Sequence, residues 1–288
     1  MTRTATSVRP HQDASALPLQ HGDRLTRAEF ERRWENTPDL KKAELLNGMV
    51  YLAAGYRGRI LDRSIPPLEN GDRLTRTEFE RRWENMPDLK KAELLNGEVF
   101  MSPPVSAQNH GIPHSALMYW LGQYWAATPG TALADNSTWR LHPDDDSQPD
   151  AMLFVLKEHG GGAGFDEDGC VRGSPEFVAE VAASSASYDL HLKMDVYRRN
   201  GAREYLVWRT LERAWNWFAL RGARYEPVIA GADGIYRSEV FPGLWLDATA
   251  LSRFDLPAVT RVLQQCLATP EHAAFVMRLQ QAGKPQAP

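Results

Sequence analysis

Residues 175–209 read PEFVAEVAASSASYDLHLKMDVYRRNGAREYLVWR, and this stretch decides the fold. Its opening, PEFVAEVA, is a short apolar run of buried-strand type with one acid, Glu180, set between Ala179 and Val181. Ser184, Ser185 and Ser187 follow as N-cap candidates for a helix from about 188 to 200, which Gly201 closes. EYLVWR (204–209) then returns as a second apolar strand. Strand, helix, strand within one short stretch predicts a sheet with a helix laid against it.

Outward from this stretch the pattern repeats. PDAMLFVL (149–156) is another buried strand, and AWNWFAL (214–220) follows EYLVWR across a turn. GGGAGFDEDG (160–169) reads as a flexible loop, and one more strand fits between Arg237 and Asp247. Ala116, Leu117, Trp120, Leu121, Tyr124 and Trp125 are spaced as one broad apolar face of a helix over 106–127, ended by Pro129-Gly130. The tail from 257 to about 283 is helical by pattern, with PQAP loose at the end, and the first twenty residues read as disordered. The expected class is α/β (α+β), a central mixed sheet flanked by helices.

Composition sets the bounds. The chain has 288 residues, 43% hydrophobic and 24% charged, which excludes a wholly disordered or collagen-like protein. With 33 basic against 37 acidic residues the net charge is −4, so binding nucleic acid by bulk charge is excluded and any such contact needs a local patch. No apolar run approaches the ~20 residues of a membrane helix, and MTRTATSVRPHQDASALP lacks the core of a secretory signal. A cytoplasmic location without membrane partners is expected. Cys170 and Cys266 are too few for a disulfide framework or a zinc set.

A repeat stands at the front. GDRLTRAEFERRWENTPDLKKAELLNGMV (22–50) returns at 71–99 with 26 of 29 positions identical. Two copies do not make a solenoid, which needs about three; a tandem duplication explains the identity. Thr26 with Glu29, and Thr75 with Glu78, form capping boxes opening short helices that stop before Pro38 and Pro87. Phe30 with Trp34, and Phe79 with Trp83, share a helix face. Asn-Gly between short apolar runs then predicts a hairpin in each copy. The second copy runs directly into the rest of the chain and is read as the functional one. Either hairpin competes for the same place, and Glu44 copies Glu93.

The chemistry rests on charges in apolar company. Asp150 opens one buried strand and Glu180 lies inside the other. A lone buried carboxylate costs several kcal/mol unless paired or bound to metal. Two on neighbouring strands suit a hard divalent cation. Helical spacing puts Asp189, Lys193 and Tyr197 on one stripe beside them. The bland readings are a rim position for Glu180, a turn cap for Asp150 and a solvated i, i+4 pair for Lys193 with Asp189. His110 and His114 are spaced like metal ligands but lack a third, and read as structural. Trp208, Trp215 and Trp217 read as packing rather than a base-stacking platform.

Pro149-Asp150, Glu180-Val181-Ala182, Asp189, Lys193, Tyr197, Gly201 and Arg203-Glu204-Tyr205, in that order, resemble the Uma-two family of restriction-endonuclease-like (PD-(D/E)XK) nucleases. AELLNGEVFMSPP (92–104) with His110 resembles the family's opening, and SEVFPGLWLDATAL (238–251) its close. The resemblance covers about 71–255. It implies Mg²⁺ or Mn²⁺ held by Asp150, Glu180 and the carbonyl of Val181, with Glu93 reaching the metal through water. It also implies Lys193 as the family's lysine, moved from strand to helix; the position two after the glutamate is Ala182.

The implied activity is endonucleolytic hydrolysis of DNA phosphodiesters, with a homodimer as one mode of action. The expected divisions are a disordered 1–21, an extra copy and spacer over 22–70, the nuclease-like domain over 71–255, and a C-terminal helix and tail over 256–288. Two other readings stand beside it. One is an inactive nuclease-fold protein serving as a binding module. The other is a glycosidic hydrolase using Asp150 and Glu180 as acid and base.

Overall fold

The structure, a computed structural model, describes residues 19, 22–35, 43–46, 48–52, 60–62, 64–89, 91–101, 106–141, 145–183 and 185–283. The expectations for the rest of the first twenty residues and for the final PQAP lie outside the described residues.

Each repeat copy folds as helix then hairpin. The first has α1 (Arg27–Glu35), β1 (Ala43–Leu46) and β2 (Met49–Leu52); the second has α2 (Arg76–Glu84), β3 (Ala92–Leu95) and β4 (Glu98–Met101). Asn96 and Gly97 both take positive φ, 54° and 70°, as a two-residue hairpin turn of this hand requires. The capping boxes close on one side only. Thr75 Oγ1 accepts the Glu78 N–H, but the Glu78 carboxylate turns away to Arg81 and Arg82, where two guanidinium partners outcompete a backbone N–H. The repeat extends further back than its near-identical block: Leu19 and Leu68, each following a proline, are buried at matching places in the two small cores.

The remaining helices and strands form three layers. In chain order they are α3 (Ile112–Ala127), β5 (Thr131–Asp135), β6 (Trp139–Arg140), β7 (Asp146–Ser147), β8 (Ala151–Val155), β9 (Ala163–Phe165), β10 (Val171–Gly173) and β11 (Phe177–Ala182). Then come α4 (Ala186–Tyr188), α5 (Met194–Arg199), β12 (Glu204–Arg209), β13 (Ala214–Arg221), β14 (Arg224–Pro227), β15 (Ile235–Arg237), β16 (Trp245–Asp247), α6 (Ala248–Ser252), α7 (Leu256–Leu267) and α8 (Pro270–Ala282). The central sheet runs β14-β13-β12-β11-β8-β5, antiparallel except for β11 beside β12. A second sheet, β4-β3-β7-β6-β10-β9, carries the second repeat copy at its edge.

Alternation along the central strands separates two cores. Ala151, Leu153, Phe177, Ala179, Val181 and Leu206 face α3 and the C-terminal helices. Met152, Phe154, Val178, Ala182 and Val207 face the second sheet and α5. By the same alternation Asp150 and Glu180 project to that second side.

Several local expectations are corrected. Residues 160–169 are not a plain loop: Ala163–Phe165 pairs with Val171–Gly173 across a turn closed by Gly169 N–H to Asp166 O. The Ser-rich link does not cap a helix at 188. Helix begins at Ala186, and Ser185 Oγ donates to the Asp189 carboxylate instead. Residues 189–193 form a π turn, with Met194 N–H reaching Asp189 O. Trp125 lies at the rim of the α3 face, 46% exposed, with its indole N–H on Thr131 O. The strand expected within 237–247 is a pair, β15 and β16. The tail holds two helices, and both pack on the main core.

Candidate active site

The site begins where β8 stops. Ala179 pairs with Ala151 across the antiparallel β11–β8 boundary, so Glu180 and Asp150 come next, opposite one another and on one face. Continuing the register would set Pro149 against Val181. A proline has no N–H to offer the Val181 carbonyl. The Val181 N–H is instead taken by Asp150 Oδ2 at 2.8 Å. Proline followed by aspartate thus ends the ladder, caps one N–H with a carboxylate and leaves a carbonyl at the sheet edge.

Lys193 reaches this point from the crossover between β11 and β12. Its Nζ lies 2.9 Å from Glu180 Oε1, 3.1 Å from Glu93 Oε1 and 3.9 Å from Asp189 Oδ1. Glu93 arrives on β3, placed by the Leu94–Asp146 pairing of β3 with β7. Tyr197 Oη donates to Glu180 Oε1 and meets Ser147 Oγ, each at 2.7 Å, and Ser147 Oγ donates to Glu93 Oε1. Gln148 N–H also donates to Glu93. Glu180, Tyr197, Ser147 and Glu93 therefore form one run of polar contacts around the lysine, in which each hydroxyl proton goes to a carboxylate and the two hydroxyl oxygens meet between them. All four sequence-selected side chains, Glu93, Asp150, Glu180 and Lys193, are buried.

Asp150 marks the more open side. Lys91 Nζ stands 3.5 Å from its Oδ1 and His110 Nε2 3.1 Å from its Oδ2. His114 Nε2 contacts the Asp150 carbonyl and Asp135 Oδ1, each at 3.0 Å. The side chain of Lys91 is 24% exposed, against 4% for Lys193.

Sequence reasoning passed over Lys91 and set His110 and His114 aside for want of a third ligand. Their missing partner is Asp150, 40 positions from His110. The usable signal was that a histidine pair opening an apolar helix must satisfy its ring nitrogens on whatever that helix packs against.

Electrostatics follow from this packing. Burial pushes the Glu180 carboxyl up; Lys193 opposes, but the charges of Asp150 and Glu93 add to the rise. Burial and the Glu180 charge hold Asp189 well above the usual carboxylate range. At Glu93 burial is outweighed by Lys193 and Lys91, and at Asp150 by His110, Lys91 and Lys193, so both are held low. Burial works against the charge on Lys193, but Glu180, Glu93 and Asp189 prevail, and its ammonium is held protonated. Four carboxyl groups face two lysines, and burial pushes two of them, Glu180 and Asp189, toward the neutral form. The Tyr188 hydroxyl, buried close by, has no hydrogen-bond partner among the described residues.

Among the described residues no three His, Cys, Asp or Glu side chains are arranged to hold a metal by themselves. Two carboxylates and the Val181 carbonyl are nevertheless hard oxygen donors at one strand end, the donor type Mg²⁺ prefers.

The model of the Uma2 family, described as "Putative restriction endonuclease", matches residues 76–249. The chain belongs to the Uma2 family. The Uma2 match starts at the first residue of α2, so it takes in the second repeat copy from Arg76 onward and leaves 22–50 outside. No curated protein matches the chain. One solved structure similar to it is "a putative nuclease belonging to DUF820" from Anabaena variabilis, 12% identical, with a TM-score of 0.45 over 59% of this chain and 97% of that one. Among the described residues no helix is long and apolar enough to cross a membrane.

Proposed function

We propose that this Uma2 chain is a divalent-metal-dependent endonuclease that hydrolyses phosphodiester bonds of DNA. The observation that carries the reading is the placement of Asp150 and Glu180 across adjacent strands at the end of β8, with Lys193 on Glu180 at 2.9 Å. Asp150, Glu180 and the Val181 carbonyl would hold Mg²⁺ or Mn²⁺. A bound cation polarises a phosphoryl oxygen and lowers the pKa of water.

Lys193, held protonated, serves as a fixed charge rather than a base. It orients the attacking water and offsets negative charge building on the phosphate. Glu93 and Tyr197 fix its position and that of Glu180. The substrate approaches over Asp150, past Lys91 and His110, which stand on its more accessible side.

Cleavage of supercoiled plasmid and single-stranded DNA with Mg²⁺ or Mn²⁺ tests this. Wild type is expected to cut, and Asp150→Asn to lose at least ~100-fold of the rate, the scale of removing one electrostatic contact to a transition state, with folding intact by circular dichroism. Metal-dependent cutting by both proteins alike would place the chemistry elsewhere.

The internal satisfaction of Glu180 by Lys193 and Tyr197 favours a second reading, an inactive nuclease fold used as a binding module. No cutting, together with no Mn²⁺ binding by calorimetry, is its signature.

A further inference from the structure

The second repeat copy is held in a defined slot on the nuclease body. Leu94 pairs with Asp146, and Arg76 Nε lies 2.7 Å from the Asp146 carboxylate. Arg76 also donates to the Asp145 carbonyl, Asn96 N–H donates to the Asp145 carboxylate, and Glu80 faces Arg140 at 3.2 Å. Glu93 fills the innermost position, on Ser147 and Lys193.

Every one of these module residues is duplicated. Forty-nine positions earlier stand Leu45, Arg27, Asn47, Glu31 and Glu44, all identical in type. The differences within the near-identical block (Ala28, Thr37 and Met49 against Thr77, Met86 and Glu98) fall outside this docking surface.

The first copy also holds the same internal shape. Gly22 N–H to Val50 O, Leu25 N–H to Gly48 O and Val50 N–H to Asp23 O match Gly71 to Val99, Leu74 to Gly97 and Val99 to Asp72, each within 0.1 Å. Where β3 has β7 on its outer edge, β1 has no third strand among the described residues. The first copy stands next to the slot. Its Gly22 packs so closely on the rings of Tyr188 and Phe100 that a Cβ would fall 2.9 Å from Tyr188, and the Arg24 N–H donates to Ser187 Oγ.

We infer that the slot has two occupants built into one chain: the first copy can take the place of the second, pairing β1 with β7 and bringing Glu44 to the position of Glu93. The hydrogen bonds and ion pairs broken at the slot are replaced by chemically identical ones; the packing differs at Phe100, whose ring lies against Tyr188 and whose counterpart is Tyr51. Connectivity selects. The second copy joins the body directly, whereas the first can dock only with about fifty residues looped out. With the body already folded, the link to it lengthens about tenfold, from β4 to Ala107 against from β2 to Ala107, and loop-closure scaling disfavours that arrangement by roughly thirty-fold. The exchanged form is therefore a minor state of a few per cent, of the kind that a trapping reaction or a partner gripping the released second copy makes dominant.

Disulfide trapping tests this without reference to nuclease activity. In full-length chain carrying Cys170→Ser, the pair Leu94→Cys with Asp146→Cys reports the second copy in the slot, because directly opposed strand residues lie within bridging distance. The pair Leu45→Cys with Asp146→Cys reports the first. Under mild oxidation, with peptide mapping by mass, the Leu94 pair is expected to close quickly. The Leu45 pair is expected to close within the same molecule, roughly thirty-fold more slowly. Closure of the Leu94 pair alone, or Leu45 bridges only between molecules, overturns the inference.

A second measurement needs no cysteine. Arg76→Glu should lower the melting temperature modestly because the first copy substitutes, and Arg27→Glu should leave it unchanged. The double variant should then fall by clearly more than the two singles together. Additive losses overturn the exchange.

Discussion

At the residue scale, Lys193 is a buried cation set among buried acids. Three carboxylates lie within 4 Å of its Nζ. Lys193→Ala leaves them buried and uncompensated, which is expected to cost about 3–5 kcal/mol. Lys193→Met with Glu180→Gln removes charge of both signs and should recover part of that loss. Urea denaturation of both variants checks this, and equal stability of the two would mean the charges are solvated after all.

Asp150 and Glu180 were legible because each meets an apolar run where a charge is costly, whereas Glu93 came only from the family resemblance. The lysine was legible because helix spacing aligned it with Asp189 and Tyr197. Lys91 and Ser147 were not, since each meets its partner across the chain and no local period marks it. The histidines were visible as a pair, but the carboxylate that explains one of them belongs to another strand.

At the element scale, the hairpin turns tie local conformation to the site. Gly97 sits at φ 70° and Gly48 at φ 78°, and a Cβ at either would be 3.4 or 3.6 Å from a backbone oxygen. Ala in either place carries about 1 kcal/mol of backbone strain. Gly97→Ala should lower the global unfolding midpoint, because β3 is stitched into the six-stranded sheet and positions Glu93. Gly48→Ala should leave that midpoint in place and speed hydrogen exchange only over residues 43–52. Matching global losses would show that the first copy is integral to the fold.

Alternation, turn residues and helix caps announced most elements. What they missed were short strands formed by tertiary pairing, such as Ala163–Phe165, and the π turn at 189–193, whose wider hydrogen bonding leaves no mark on apolar spacing.

At the scale of the whole molecule, pH dependence should expose a buried acid remote from the candidate centre. Glu204, at the start of β12, is fully buried; burial pushes it from 4.5 up to about 7, while donors from Ser238 and the Glu239 N–H pull it back down. A carboxyl with a raised folded pKa binds more protons folded than unfolded. Stability should therefore decline as pH rises from about 4.5 to about 7 and then level off. The full effect is about 3 kcal/mol at 1.36 kcal/mol per unit. Glu204→Gln should remove that slope while keeping an acceptor for Glu239. A wild-type midpoint that rises over the same window relative to the variant would reverse the assignment. Layer order and the mixed sheet could be expected from the strand–helix–strand core alone. That both faces of the central sheet would be covered, one by a second sheet, could not, because β6 and β7 are two residues each and carry no pattern.

The slot strand β7 comes at the middle of the chain, after both repeat copies and well before the crossover that completes the cluster. On a ribosome adding about 5–20 residues per second, two near-identical folded hairpins are out for seconds before residue 146 emerges. Its lysine clamp, Lys193, follows a few seconds later. If the copies exchange as inferred, first occupancy during synthesis is a race decided by tether length, and the slot then relaxes toward the second copy, so that Glu93 is the acid that meets Lys193 in most molecules.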